Sequence, residues 1–381
     1  MRVPTTRENP FEPPAELVNA PPISRLDFPD GSRGWVVTDH AAARFILSDP
    51  RFSSRTDRRK SAIRAEQLPV FPGAILFMDP PDHTRYRKLL AGQFTLRRMR
   101  ALEPRIATIA ADRLDALENA GSPADLVRLF ALPLASLVIC ELLGIPYSFH
   151  DRFERASQAV LDPARPEDER AAAGSDLFTV LSETVAAKHT SPGDDMLSGL
   201  MSSLRDDEVI GMGVQLLFAG HESTANMLAL GTFALFQHPD QLALLRAEPG
   251  LIDGAVEELL RHLSIVQHEM TRAAMEDVEI AGQVVVKGES VLVYLPMVNR
   301  DPDRFPHPST LDITRKTSAH MSFGHGVHQC LGQQLARVEL RIGFSALLDR
   351  FPGLRLAVAP EEVPLRTDRG IYGVTALPVA W

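Results

Sequence analysis

Phe323-Gly324-His325-Gly326-Val327-His328-Gln329-Cys330-Leu331-Gly332 sets a single cysteine in a glycine-rich loop. The glycines mark places where backbone can approach a flat ligand closely. Helical spacing follows at once. Leu331, Leu335, Val338 and Ile342 step by four, three and four residues, predicting one buried face of a helix that begins near Leu331. A lone thiolate cannot build the four-ligand sulfur site of structural zinc. It suits the axial position on a haem iron, where it pushes electron density toward dioxygen. The helix start would add free amides and a positive dipole end aimed at the sulfur.

Composition narrows the class. The 381 residues are 45% hydrophobic and 23% charged, an ordinary globular balance that one large core can hold, so a single domain over residues 1–381 is expected. A net charge of -9 argues against non-specific nucleic-acid binding. Cys140 and Cys330 make no disulfide framework and suit a reducing cytoplasm. Met1 to Pro22 carries Pro4, Pro10, Pro13 and Pro14 and no apolar run, so neither signal peptide nor membrane anchor is expected. The greasiest stretch, Leu129 to Ile145, is broken by Pro133, Ser136 and Glu141 and falls short of the ~20 residues that span a bilayer. It reads as a buried helix, with Cys140 as a small apolar filler.

Along the chain, Gly34-Trp35-Val36-Val37 reads as a strand, followed by a helix through Leu47 capped by Thr38 or Asp39. Residues 55–73 lack periodicity and read as a long loop of the kind that shapes binding sites. Helical patterning runs from Asp82 to about Tyr147 with a break at 120–123. An exposed connection is expected at 162–168 and another break at 191–195. A long apolar helix should cover Asp206 to Phe236, and a shorter one Leu251 to Leu263. Residues 278–280, 283–286 and 290–294 cluster β-branched side chains around Gly282 and Gly288, predicting a small meander. Short strand-like pieces follow Phe351. The chain is mainly α with a minor sheet component.

Phe323, Gly326, Cys330 and Gly332 match in register the pattern Phe-x-x-Gly-x-x-x-Cys-x-Gly, and on these residues the chain resembles the cytochrome P450 family. Other segments carry the same resemblance in the same order, across essentially the whole chain. Asp79 to Arg87 is similar to the family segment that brings a histidine and, four residues on, an arginine to the haem propionates; that spacing puts His83 and Arg87 on one helix face. Arg272 and His328 match further propionate-contact positions. Ala219, Gly220 and Glu222 match Ala-Gly-x-Asp/Glu-Thr, with Ser223 where threonine is usual. Glycine mid-helix costs about 1 kcal/mol, and Ser223 and Thr224 can bond back to carbonyls and loosen the ladder. A local widening with room for dioxygen and water is therefore expected there. Glu258 and Arg261 match Glu-x-x-Arg, a structural pair that the family ties to a downstream arginine, here Arg304 or Arg315.

The resemblance implies the mainly helical P450 fold, with small β regions and haem b (iron protoporphyrin IX) between the long central helix and the helix after Cys330. Cys330 is then the iron ligand. Phe323, Gly324, Gly326 and Gly332 lie beside the haem on that side, and Ala219 and Gly220 on the other. Glu222 and Ser223 handle protons, with Thr224 as the alternative hydroxyl. Phe218 and Ala219 face the substrate, joined by Leu76, Phe77 and Met78 and, by position, Ile265, Val266 and Ile371. His221 reads as a surface or packing residue.

The implied reaction inserts one oxygen atom of O2 into a small apolar organic molecule, most simply by hydroxylation, in secondary metabolism. A cytoplasmic monomer fed by ferredoxin and ferredoxin reductase is expected. Arg85, Lys88, Arg97, Arg98 and Arg100 would dock the acidic donor. A peroxide-driven haem-thiolate peroxygenase stays open, though Glu222 and its neighbouring hydroxyl argue against it. So does a haem protein that binds a ligand without turnover, for which Ser223 is the only hint.

Overall fold

A 32-residue helix, Asp206–Gln237, forms the centre of the architecture in a computed structural model that describes residues 1–65, 70–161, 165–316, 319–367 and 369–381. Charge builds its start. Asp206, Asp207 and Glu208 occupy the first turn, where the helix dipole favours anions. Glu208 reaches back to accept the Arg205 amide at 2.9 Å. Burial opposes its charge, but hydrogen bonds from Tyr86, the Arg205 amide and Arg85 outweigh burial and hold the carboxyl down at about 2. Three helices pack on this axis: Leu132–Leu143, Glu167–Thr190 and Gln333–Arg350. Leu134, Leu228 and Phe344 from three of these four helices share the main core.

The apolar stretch around Cys140 is a buried helix, and burial pushes that thiol up to about 12, leaving it protonated. Among the described residues no helix is long and apolar enough to cross a membrane. Asp39 caps the helix His40–Ser48 by accepting the Ala42 amide at 2.6 Å. The helix after the cysteine loop starts at Gln333, not Leu331, because Gly332 is its cap. Leu335 and Val338 are buried, Ile342 is half-buried, and Leu331 precedes the helix.

A mixed five-stranded sheet lies beside the helices in the order Ile23–Asp27, Arg33–Val37, Ser290–Val293, Thr271–Ala274, Phe52–Ser53. Arg33–Val37 and Ser290–Val293 run parallel, with Trp35 opposite Val291; the other pairings are antiparallel. This corrects the expected meander. Val278–Ile280 and Gln283–Val285 form their own hairpin, while Ser290–Val293 leaves them for the larger sheet. Every residue of that strand is buried, which suits an interior position; the hairpin keeps Val284 exposed. Near the C-terminus, Leu365–Arg366 pairs with Gly373–Val374. Parts of the expected loop at 55–73 and connection at 162–168, namely 66–69 and 162–164, lie outside the described residues.

Glu258 and Arg261, one turn apart on the helix Ile252–Leu263, are both fully buried. Arg261 Nε and Nη2 each donate to the Glu258 carboxylate at 2.8 Å. Glu258 also accepts Arg315 Nε at 3.1 Å and the Asp312 amide at 3.0 Å. Arg261 Nη1 donates to the carbonyls of Asn299 and Pro308. Arg315 is thus the third partner, and Arg304 is exposed. The network ties this helix to the segment that leads into the cysteine loop. Removing one partner of a buried pair costs ~3–5 kcal/mol, so Arg261→Met should lose that much stability in a urea titration. Arg304→Ala should stay within about 0.5 kcal/mol of the parent.

Candidate active site

The cysteine loop is held from several sides. Fully buried Asn299 donates from Nδ2 to Ser264 Oγ at 2.7 Å and Ser322 Oγ at 3.0 Å, and its Oδ1 accepts the Met321 amide at 2.7 Å. Ser322 Oγ donates in turn to the Leu260 carbonyl at 2.7 Å. Glu257 holds His320 Nε2 at 3.0 Å and Arg337 Nε at 2.6 Å. The Arg337 guanidinium stands 4.6 Å from the centre of the Phe323 ring. The Cys330 amide closes the loop onto the Phe323 carbonyl at 2.8 Å. Burial pushes the Cys330 thiol up, while the Gly332 amide, Arg87 and Arg337 pull it the other way.

Gly326 has a different role from the one expected. Its φ is +73°, and a Cβ there would stand 2.2 Å from the Leu47 carbonyl. The bare Cα makes room for the end of the helix His40–Ser48 rather than for a flat ligand. Gly324, at φ +69°, meets only the flexible end of Met270, at 3.0 Å.

Around the cysteine the chain gathers basic side chains. His83 is buried on the helix Asp82–Ala91, with its ring 4.2 Å from that of His328. One turn on, Arg87 Nη2 donates to the Gln329 carbonyl at 2.6 Å. Arg272, buried in the strand Thr271–Ala274, donates to the Thr271 carbonyl at 2.9 Å. Among the described residues neither arginine has a carboxylate in ion-pair contact. Asp79, whose charge reaches His83 and Arg272, is taken up by the Ser53 hydroxyl and the Ser54 amide. Burial, then the neighbouring cations, push His328 down to about 3 and Arg272 down to about 10. Buried guanidinium groups without acids are receptors for an anion. Two propionates beside one thiolate satisfy that demand, so the residues present fit a haem.

The other wall is one turn of the central helix. Most of that helix is buried, yet Ala219 is exposed, Phe218 and Ser223 are partly exposed, and Glu222 is only slightly so. That turn is therefore open to a ligand. At about 100° per residue, Ser223 lies roughly 40° from Ala219 and Thr224 roughly 140° away. Thr224 is buried. Ser223 Oγ donates to the Ala219 carbonyl at 2.8 Å.

The expected widening does not occur, and the helix stays α throughout. Gly220 is explained instead by packing, since a Cβ there would be 2.9 Å from Ile139 Cδ1 on the helix Leu132–Leu143. His221 is a buried packing residue, its ring 5.6 Å from that of Phe153. Glu222 is gripped by Arg366, both side chains being about nine-tenths buried. Arg366 escaped sequence reasoning because nothing near Leu365-Arg366 points to a partner 144 residues away.

The apolar candidates come from three segments. Leu76 is exposed and Phe77 half-buried on the turn Ile75–Phe77, and Met78 follows at the edge of the core. The Leu76 amide donates to Gln215 Oε1 at 3.2 Å, pinning this loop to the central helix one turn before Ala219. Val266 and Ile371 face each other across an isolated bridge, both half-buried, while Ile265 lies in the main core. The basic cluster divides. Arg85 pairs with Glu208 at 2.9 Å and Arg98 with Asp194 at 3.0 Å, which takes both out of the free set. Lys88, Arg97 and Arg100 are exposed without an ion pair among the described residues, and Leu96 is exposed next to Arg97.

Comparison with known proteins is concordant. The family profile described as Cytochrome P450 matches residues 181–378. The chain is 49% identical to Cytochrome P450 105C1 of Streptomyces sp, over 99% of this chain and 97% of that one. It is 43% identical to pentalenic acid synthase of Streptomyces avermitilis, over 99% and 96%. The crystal structure of CYP105P1 in complex with filipin I superposes with a TM-score of 0.94 at 40% identity, covering 100% of this chain and 98% of that one.

The loop geometry orders two substitutions. Gly326→Ala faces both a disfavoured φ and a rigid carbonyl, and should cost more than about 2 kcal/mol. Gly324→Ala faces the same backbone penalty but only a movable methionine tip, so its thermal midpoint should fall less.

Proposed function

The chain belongs to the cytochrome P450 family and is a P450 monooxygenase; from that premise we propose that it hydroxylates a small apolar organic substrate of secondary metabolism, with electrons from ferredoxin and its reductase. The observation that carries this reading is two residue groups of opposed chemistry, which the P450 fold would set on either side of one cleft. Cys330 lies among His83, Arg87, Arg272 and His328 on one side, and Ala219, Glu222 and Ser223 border the other. Cys330 would hold the iron of haem b, and the two free guanidinium groups would bind its propionates. Bound haem supplies dioxygen activation.

The protein's own residues then divide the work. Glu222 relays a proton through its carboxylate toward Ser223, whose Oγ passes it on from the Ala219 side of the helix. Thr224, buried behind, is the weaker candidate. Leu76, Phe77, Phe218, Val266 and Ile371 orient an apolar substrate and exclude water. A relative named for pentalenic acid and a neighbour solved with filipin I support an organic substrate. Glu222 and Ser223 on the cleft favour oxygen-driven over peroxide-driven turnover. Lys88, Arg97 and Arg100 are proposed to dock the acidic donor, in the cytoplasm.

The test is the absorption spectrum of the reduced, carbon-monoxide-bound protein. The parent should show the red-shifted Soret band of thiolate-ligated haem, and Cys330→Ser should lose it while still binding haem. A haem-loaded parent without that band would remove the thiolate assignment. For the donor surface, reduction by ferredoxin should slow as salt rises, because exposed charges are screened beyond ~10 Å at 0.1 M. Arg97→Glu with Arg100→Glu should slow it most at low salt, with the gap to the parent closing as salt rises, and a salt-independent rate would exclude this surface.

A further inference from the structure

We propose that Arg366 is the positioning residue of the distal acid: it fixes the Glu222 carboxylate at one place on the central helix and so sets where a proton is handed on. The proposal rests on the reading of Glu222 as the acid of proton delivery. Three observations carry it. Arg366 grips Glu222 in a site nearly closed to water. Glu222 has no other cation in contact among the described residues, and Arg366 Nε is buried with no partner, so the pair depends on this single contact. A carboxylate with such limited access to water needs its cation, because an unpaired buried charge is strongly disfavoured.

The element that carries Arg366 is itself fixed. In the hairpin, Arg366 stands opposite Gly373 and Leu365 opposite Val374. Gly373 is pressed so closely on the central helix that a Cβ would be 2.0 Å from Asn226 Oδ1. Asn226 is one turn beyond Glu222 and donates from Nδ2 to the Glu222 carbonyl at 2.8 Å. The hairpin therefore touches the helix at residues i and i+4 of one face. On its far side, the Tyr372 amide donates to the Ile265 carbonyl at 2.8 Å and the Gln267 amide to the Gly370 carbonyl at 3.0 Å. One short strand thus connects the Val266–Ile371 pocket wall to the acid.

The experiment needs no identified substrate. Without one, reduction of dioxygen by one NADPH gives hydrogen peroxide, whereas two NADPH with further protons give two waters. The peroxide released per NADPH therefore reads proton delivery. The haem-loaded protein is driven by a plant-type ferredoxin and its reductase, and the variants are Arg366→Leu, Arg366→Lys, Glu222→Gln and Arg366→Leu with Glu222→Gln. Arg366→Leu should raise the peroxide yield about threefold, the double variant should match Glu222→Gln alone, and Arg366→Lys should stay near the parent.

A second readout is independent of turnover. Labelling of Glu222 by a water-soluble carbodiimide and an amine, mapped by peptide mass spectrometry, should rise about fivefold in Arg366→Leu and stay low in Arg366→Lys. Arg366→Gln replaces Arg366→Leu if the latter loses its carbon-monoxide spectrum. If Glu222→Gln raises peroxide while Arg366→Leu changes neither readout, the positioning role is wrong and the acid stands. If Glu222→Gln leaves peroxide unchanged, the acid assignment itself falls.

Discussion

A single thiolate has no second ligand to correct its position, so everything around Cys330 depends on how firmly backbone holds one loop. Rigidity is supplied by buried polar contacts rather than by apolar packing alone. Asn299 binds the chain just before the loop, Glu257 binds His320 and Arg337, and the Cys330 amide binds back to Phe323. Glu257 and Glu258 are adjacent on one helix but point to different tasks. Glu258 secures the segment around 299–315, and Glu257 secures the loop and the helix after it. Two neighbouring carboxylates on the helix Ile252–Leu263 thereby control both approaches to the cysteine.

The treatment of buried charge distinguishes support from site. Acids in supporting positions are matched. Glu208 has Arg85 and Tyr86, Glu257 has His320 and Arg337, and Glu258 has Arg261 and Arg315. Hydrogen bonds outweigh burial at Glu257 and hold its carboxyl at about 2. Where no cation is supplied, as at fully buried Glu339, burial pushes the group well above the usual carboxylate range. The cations beside Cys330 follow the opposite logic. Arg87 and Arg272 keep their charge against burial without an acid to balance it. The contrast with the matched acids supports the proposal that these two guanidinium groups serve an anion.

What the sequence made legible was local. The loop motif, the i, i+4 pair His83 and Arg87, and the long apolar helix each lie within one element; periodicity reveals the helix, and the family resemblance points to the other two. The strand 290–293 was misread because β-branched clustering marks a strand without saying which neighbour it joins; burial on both faces decided that. Gly220 and Gly326 were expected to serve a ligand, yet each serves a close approach inside the protein, to Ile139 and to Leu47. A glycine shows that space is needed and not by whom. Arg366, Asn299 and Glu257 stayed hidden for another reason: their partners are far away in the sequence, and an ordinary residue carries no signal of a distant contact.

The serine at the usual threonine position acquires a specific meaning from this geometry. Its hydroxyl is already committed to the Ala219 carbonyl, on the face of the helix that is open to a ligand. Threonine at that place would add a methyl and restrict the rotamer; serine leaves the rotation freer. The acid is the reverse case, held by an arginine from a hairpin that is pinned on both sides. The pair therefore combines a carboxylate held by a distant arginine with a hydroxyl held by its own helix. The position of the Glu222 carboxylate is therefore set by the C-terminal hairpin more than by the helix motif itself.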